Sequence, residues 1–112
     1  MIDRSASSPD ISVVVPVHDE SGAAVPLARE IAEAFAGRSY EMIFVNDASR
    51  DTTLAELRAA MAELPALRVL SHGTNAGQSR AVRTGVLAAR GEGTKRAHAR
   101  SGAAFRAAIL AA

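Results

Sequence analysis

Three polar clusters in this 112-residue chain carry side chains suited to holding a ligand. They are His18-Asp19-Glu20, the run Asn46-Asp47-Ala48-Ser49-Arg50-Asp51, and the stretch from His72 through Gln78. Carboxylates such as Asp47 accept charge-assisted hydrogen bonds, and the short polar residues around them are turn formers. A competing reading is purely structural: Asp47 and Asp51 end a strand and cap a helix, and Asn75 and Gly77 make a plain turn. His18, His72 and His98 lack metal-ligand spacing and read as turn or surface residues. Gly77-Gln78-Ser79-Arg80-Ala81 resembles a nucleophile elbow without its second glycine, and no later acid and His complete a triad.

Each cluster follows a strand-like run. Ile11-Ser12-Val13-Val14-Val15-Pro16-Val17 is nearly continuous in β-branched residues, as expected of a strand covered on both faces, with Pro16 near its end where ladder bonding stops. Tyr40–Val45 and the shorter Leu67–Leu70 are the second and third such runs. Helical spacing follows each one. Leu27, Ile31, Ala34 and Phe35 form one stripe, with Pro26 in the first turn and Gly37 as the stop. Leu54, Leu57, Met61 and Leu64 form another, opened by a capping box from Thr53 to Glu56 and ended by Pro65. A third helix spans roughly residues 78–90 before Gly91. Strand and helix therefore alternate three times, which predicts an α/β fold with a parallel sheet. All three clusters then lie at the carboxyl edge of that sheet, where open α/β sheets bind ligands.

The loops narrow the ligand class. Neither Gly-x-Gly-x-x-Gly nor a Walker loop follows the first strand. Acidic rather than glycine-rich loops point to a nucleotide held by base and ribose, its diphosphate needing a metal from further along the chain.

Composition bounds the rest. The length allows one domain, and 48% hydrophobic with 22% charged residues is that of a globular chain. With 4% aromatic residues the core must be aliphatic. No apolar run approaches a membrane span, the polar start lacks a signal-peptide core, and the absence of cysteine leaves no disulfide or thiolate site. A cytoplasmic location is the resulting default. Residues 1–92 carry 9 Lys+Arg against 12 Asp+Glu, whereas residues 93–112 carry Lys95, Arg96, Arg100 and Arg106 and no acid. That shift divides the chain into a disordered leader (1–10), a folded part (11–92) and an atypical basic Ala/Arg-rich tail (93–112). Four charges without aromatics are a solvated segment rather than a nucleic-acid surface, so no nucleic-acid partner is expected. The tail shows no strand-like run, and a weak helix is expected near Ala103–Ala111.

Pro16–Glu20 (PVHDE), Val45–Thr53 (VNDASRDTT) and Asn75–Gly85 (NAGQSRAVRTG), in this order and spacing, resemble the successive N-terminal signatures of family 2 glycosyltransferases. The third is most similar to the dolichol- or polyprenyl-phosphate mannosyltransferase branch, and the likeness covers residues 11–92. The resemblance implies a GT-A fold, a Rossmann-like sheet, and transfer of a hexose from a GDP- or UDP-sugar to polyprenyl phosphate at the membrane, where the enzyme would be peripheral. By position it implies that Pro16, His18 and Glu20 border the nucleoside, that Val45 and Asp47 frame the base, and that Asn75 and Gly77 shape the loop into the third helix. His18 stands where the family often has Tyr, and Asn46 replaces a more usual Asp.

The family's fourth strand ends in Asp-x-Asp, which binds the Mg or Mn that neutralises the diphosphate. In this sequence no Asp follows Asp51 and no Glu follows Glu92. The expectation is therefore a partial GT-A sheet of three β-α units, truncated before the fourth strand, with no catalytic or metal ligands of its own. An Ala/Arg/Gly-rich tail is also what a shifted GC-rich reading frame yields, so the chain reads as a truncated or frameshifted, inactive form. The alternative is a non-catalytic nucleotide-binding fragment. Sheet order 3-2-1-4 by resemblance would leave the first strand's edge bare and prone to self-association.

Overall fold

The computed structural model describes residues 9–89, 95–101 and 105–111, the last two segments by their backbone course alone. The expected leader thus lies, apart from Pro9 and Asp10, outside the described residues. The elements run β1 (Ile11–Val17), α1 (Ala24–Ala34), β2 (Tyr40–Asp47), α2 (Thr53–Ala60), β3 (Leu67–His72), α3 (Gln78–Ala88), β4 (Lys95–Ser101) and β5 (Phe105–Ala111).

The three β-α units form as the sequence predicts. β1 pairs parallel with β2, from Ile11 opposite Tyr40 to Val17 opposite Asn46. β2 pairs parallel with β3, from Met42 opposite Leu67 to Asp47 opposite His72. Every residue of β1 is buried, because the sheet is covered on both faces. The period of two sorts its side chains. Val13, Val15 and Val17 join Met42 and Phe44 against Leu27, Ala28 and Ile31 of α1 and Leu57 of α2. On the other face Val14 packs against Val82 and Val86, and Ile43 and Val45 pack with Ala81. Gly85 brings α3 close to this face, since a Cβ there would lie 2.2 Å from Val14 Cγ1.

One polar crossing interrupts the apolar sheet. Ser12 Oγ donates to Glu41 Oε2 at 2.6 Å, and Arg68 Nη1 donates to Glu41 Oε1 at 2.7 Å. The same Arg68 nitrogen reaches the Ala88 carbonyl at 3.0 Å, a cation on the C-terminus of α3.

The structure corrects several expectations. The tail is no Ala/Arg helix: β4 and β5 pair antiparallel, and β5 pairs antiparallel with β1, Ile11 opposite Ala111 through Val14 opposite Ala108. The sheet order is β3-β2-β1-β5-β4. A lone Ala/Arg helix has little surface to bury, whereas the edge of β1 offers backbone donors and acceptors that any strand can satisfy. The bare edge on which self-association was expected is thus occupied over Ile11–Val14. On α2, the N-cap position falls to Thr52, and Glu56 reaches Gly22 of the neighbouring loop as well as Thr52. Met61 lies past the end of α2 and is 40% exposed, outside the expected stripe.

Candidate functional site

The β1–α1 loop is stitched to the β2–α2 loop by four successive backbone N–H groups. Asp19 N donates to Ser49 Oγ at 2.9 Å, Glu20 N to Thr53 Oγ1 at 2.8 Å, Ser21 N to Asp51 Oδ2 at 3.1 Å and Gly22 N to Glu56 Oε1 at 2.9 Å. In return Arg50 N donates to Asp19 Oδ1 at 2.7 Å. The first two polar clusters are therefore one structure, with the side chains of the second receiving the backbone of the first. Asp19 and Ala48 hold the left-handed conformation, at φ of 50° and 55°, where the two loops meet. Asp51 also accepts the hydroxyl and the N–H of Thr53. The Thr53 hydroxyl leads the contacts that outweigh desolvation and hold its carboxyl at about 2. Glu20 is displaced the other way: burial, then the Asp51 and Asp19 charges, raise its carboxyl against the pull of His18.

Asp47 anchors the third cluster. Its Oδ1 accepts Ala76 N at 2.8 Å and the His72 Nδ1–H at 2.9 Å, and its Oδ2 accepts Gly77 N at 2.8 Å. A carboxylate can only accept, so His72 carries its proton on Nδ1, and Nε2 faces Thr84 Oγ1 of α3 at 2.8 Å. Burial works to raise the Asp47 pKa, but the donors Ala76, His72 and Gly77 outweigh it and hold the carboxyl below its ordinary range. Gly77 takes φ of 92°, a conformation that favours glycine, to turn the loop into α3.

Between these loops lies a crevice of about 680 Å³ at the carboxyl edge of the sheet. It is lined by His18, Asp19, Asn46, Ala48, Ser49, Arg50, Leu54, Ser71, His72, Gly73, Thr74 and Asn75. That volume suits a nucleotide-sized ligand. His18 stands half-exposed at its rim, its Nδ1–H donating to the Asp47 carbonyl at 2.7 Å.

Of the residues expected at the site, His18 and Asn75 line the crevice. Pro16 and Val45 are buried opposite each other in β1 and β2, beneath the loops. Glu20 belongs to the loop seam, its N–H on Thr53. Asp47 and Gly77 are joined to each other and shape the wall formed by the β3–α3 loop. Sequence reasoning held Asn46, Ser49, Arg50 and Thr74 within the polar clusters without giving them a place at the site, and missed Leu54 and Ser71 as lining residues. The turn cluster after Val45 signalled a loop there, but nothing in it told side chains facing the crevice from side chains spent on the seam.

The carboxylates of Asp19, Asp47 and Asp51 are already engaged by the protein and do not form a metal site. Both oxygens of Asp47 and Asp51 and Oδ1 of Asp19 take hydrogen bonds from the protein, and Asp19 Oδ2 lies 3.3 Å from His18 Nε2. No three His, Asp or Glu side chains converge as ligands among the described residues.

A parallel α/β sheet with a polar crevice over its carboxyl edge is the arrangement in which open α/β proteins hold their ligands. Residues 12–93 match the family model described as glycosyl transferase family 2, and the chain belongs to that family. It is 36% identical over 85 residues to a dodecaprenyl-phosphate galacturonate synthase of Rhizobium johnstonii, covering 73% of this chain and 25% of that protein. It is 33% identical over 94 residues to a dolichol-phosphate mannosyltransferase of Mycosarcoma maydis, covering 79% of this chain and 32% of that protein. The chain thus spans about a quarter to a third of the length of these curated relatives. Among the described residues no helix is long and apolar enough to cross a membrane.

Proposed function

We propose that this chain is the donor-nucleotide part of a glycosyltransferase that moves a hexose from a nucleotide sugar to polyprenyl phosphate. The observation that carries this reading is the crevice of about 680 Å³ between His18, Ser49 and the Ser71–Asn75 loop. Its walls offer hydroxyl, amide and imidazole groups suited to a base and ribose rather than a glycine cradle for phosphate. The names of the two relatives supply the acceptor class, a polyprenyl phosphate. Such a phosphate is already ionised near neutral pH, so its attack needs little general base. The leaving diphosphate is the demanding charge, and the carboxylates of Asp47 and Asp51 are committed elsewhere. The 112-residue polypeptide accordingly binds nucleotide without performing transfer, and Mg or Mn belongs to the longer enzymes of the family. Work on a lipid-linked acceptor places the active enzyme at the cytoplasmic membrane surface, as a peripheral protein.

The test is a two-dimensional amide NMR titration of the 112-residue chain with UDP and with GDP, followed by a transfer assay with Mg and polyprenyl phosphate. Shifts confined to His18, Ser49 and Ser71–Asn75, with no sugar transferred, are expected. No shift at millimolar nucleotide overturns the donor-site reading, and metal-dependent transfer overturns the inactivity of this polypeptide.

A further inference from the structure

Charge is divided along this chain and across its sheet. Residues 1–65 carry 5 Lys+Arg against 11 Asp+Glu, and residues 66–112 carry 8 against 1. α1 and α2, which cover one face of the sheet, hold Glu30, Glu33 and Glu56 beside Arg29 and Arg58. α3, which covers the other face, holds Arg80 and Arg83 and no acid. Ala81 and Gly85 of α3 are buried against the sheet, with Val82 and Val86 partly buried beside them. Arg80, Arg83 and Leu87, three and four residues apart, form the opposite ridge of the same helix, and all three are exposed. Leu87 is 76% exposed, the barest large apolar side chain among the described residues. The arginine ion pairs among those residues take Arg29 and Arg68 and leave Arg80 and Arg83 without an acid.

We infer that this ridge is where the chain meets an anionic lipid surface, with Arg80 and Arg83 among the headgroup phosphates and Leu87 in the acyl boundary beside them. Two guanidinium groups alone would suit any polyanion. A leucine on the same ridge suits one with hydrocarbon beneath its charges, which a nucleic-acid duplex does not have. The ridge also carries no aromatic ring on which single-stranded bases could stack. Arginine fits such a boundary, because its stem lies along apolar surface while the guanidinium stays with the phosphates. Each basic residue near an anionic leaflet strengthens attachment about fivefold, so the contact is weak and reversible. The inference goes beyond the donor-site reading and stands without it, since it needs neither a nucleotide nor a particular acceptor. Where both hold, α3, which starts at the crevice wall, keeps the donor crevice at the surface that carries the lipid acceptor.

The experiment sediments the 112-residue chain with vesicles of phosphatidylcholine alone and of phosphatidylcholine and phosphatidylglycerol in equal parts, none holding polyprenyl phosphate. Wild type should bind the anionic vesicles, ignore the neutral ones, and lose the binding as sodium chloride is raised to about 0.5 M. Arg80→Glu with Arg83→Glu should weaken binding at least about tenfold. Arg38→Glu with Arg58→Glu makes the same change in net charge away from α3 and should weaken it far less. The chain has no tryptophan, so Leu87→Trp adds a single reporter. Its indole emission should shift to the blue on anionic vesicles and be quenched by brominated acyl chains. Wild type that binds no anionic vesicle overturns the inference, as does vesicle binding with an unshifted indole. Equal losses in the two charge variants, or binding to a DNA duplex as tight as to the vesicles, overturn it too. Nucleotide binding by a chain that ignores vesicles leaves the donor-site reading standing; vesicle binding without nucleotide binding removes only that reading.

Discussion

Asp47 Oδ2 accepts the backbone N–H of Gly77 at 2.8 Å, joining the end of β2 to the start of α3 across thirty residues of sequence. With Ala76 N and His72 on Oδ1, one side chain fixes the whole β3–α3 loop and thereby one wall of the crevice. Removing it leaves the Ala76 N–H without its acceptor, the Gly77 N–H with only Asn75 Oδ1 at 3.1 Å, and His72 without its orienting partner. Asp47→Ala should destabilise the chain by about 1–3 kcal/mol, read from urea unfolding, and weaken nucleotide binding through the displaced loop. Unchanged stability would show that the loop holds itself.

The same carboxylates set an acid limit. Asp47 has a folded pKa below its ordinary value and Asp51 one of about 2. A depressed carboxyl contributes stability that is complete above its unfolded pKa of about 3.9 and is lost as pH falls through the folded value. Stability should therefore be flat from pH 7 to about 5 on their account, then decline between about pH 4 and pH 2. Thermal melts across that range check it. Asp51→Asn should flatten the decline, and an unaltered pH profile in that variant would remove Asp51 from the account.

The three β-α units were legible because their signals are local. A β-branched run buried on both faces reads the same in sequence and in structure, as Ile11–Val17 shows. Family membership was legible from the same three motifs. The division of labour inside the motifs was not. In sequence Ser49 and Asp51 belong to a cluster suited to a ligand and Thr53 and Glu56 to a capping box, yet each receives an N–H of residues 19–22, a pairing set by how two loops meet. The tail was misread for a related reason. Its strands are selected by the unpaired edge of β1, a tertiary circumstance that overrides the helix preference of alanine and arginine.

Gly85 is a packing requirement rather than a flexible point. In an exposed helix Gly→Ala stabilises by about 1 kcal/mol. Here the added Cβ would lie 2.2 Å from Val14 Cγ1 and 3.2 Å from Val45 Cγ2, both on stiff, fully buried side chains. Overpacking of this kind costs about 1–3 kcal/mol, so the net sign is destabilising. Gly85→Ala should lower the melting temperature, and Val14→Ala in the same chain should recover part of the loss. A more stable Gly85→Ala protein would mean that α3 stands further from the sheet.

The last expectation concerns the β4–β5 pair. β5 meets β1 from Ile11 to Val14, a stretch without charge, and the outer strand β4 carries Lys95, Arg96 and Arg100 in its sequence. Charged edge strands resist further pairing, whereas an apolar β-branched edge invites it. Deleting residues 93–112 would replace the former by the latter while leaving α1, α2 and α3 and their contacts with the sheet in place. The shortened chain should keep its helical signal but self-associate, seen as a rising mass with concentration in light scattering, while the 112-residue chain shows less. Its amide exchange along Ile11–Val14 should also become faster in whatever monomer remains, since those backbone groups lose their partners. Equal masses and equal protection in the two chains would mean that β5 contributes nothing to covering β1.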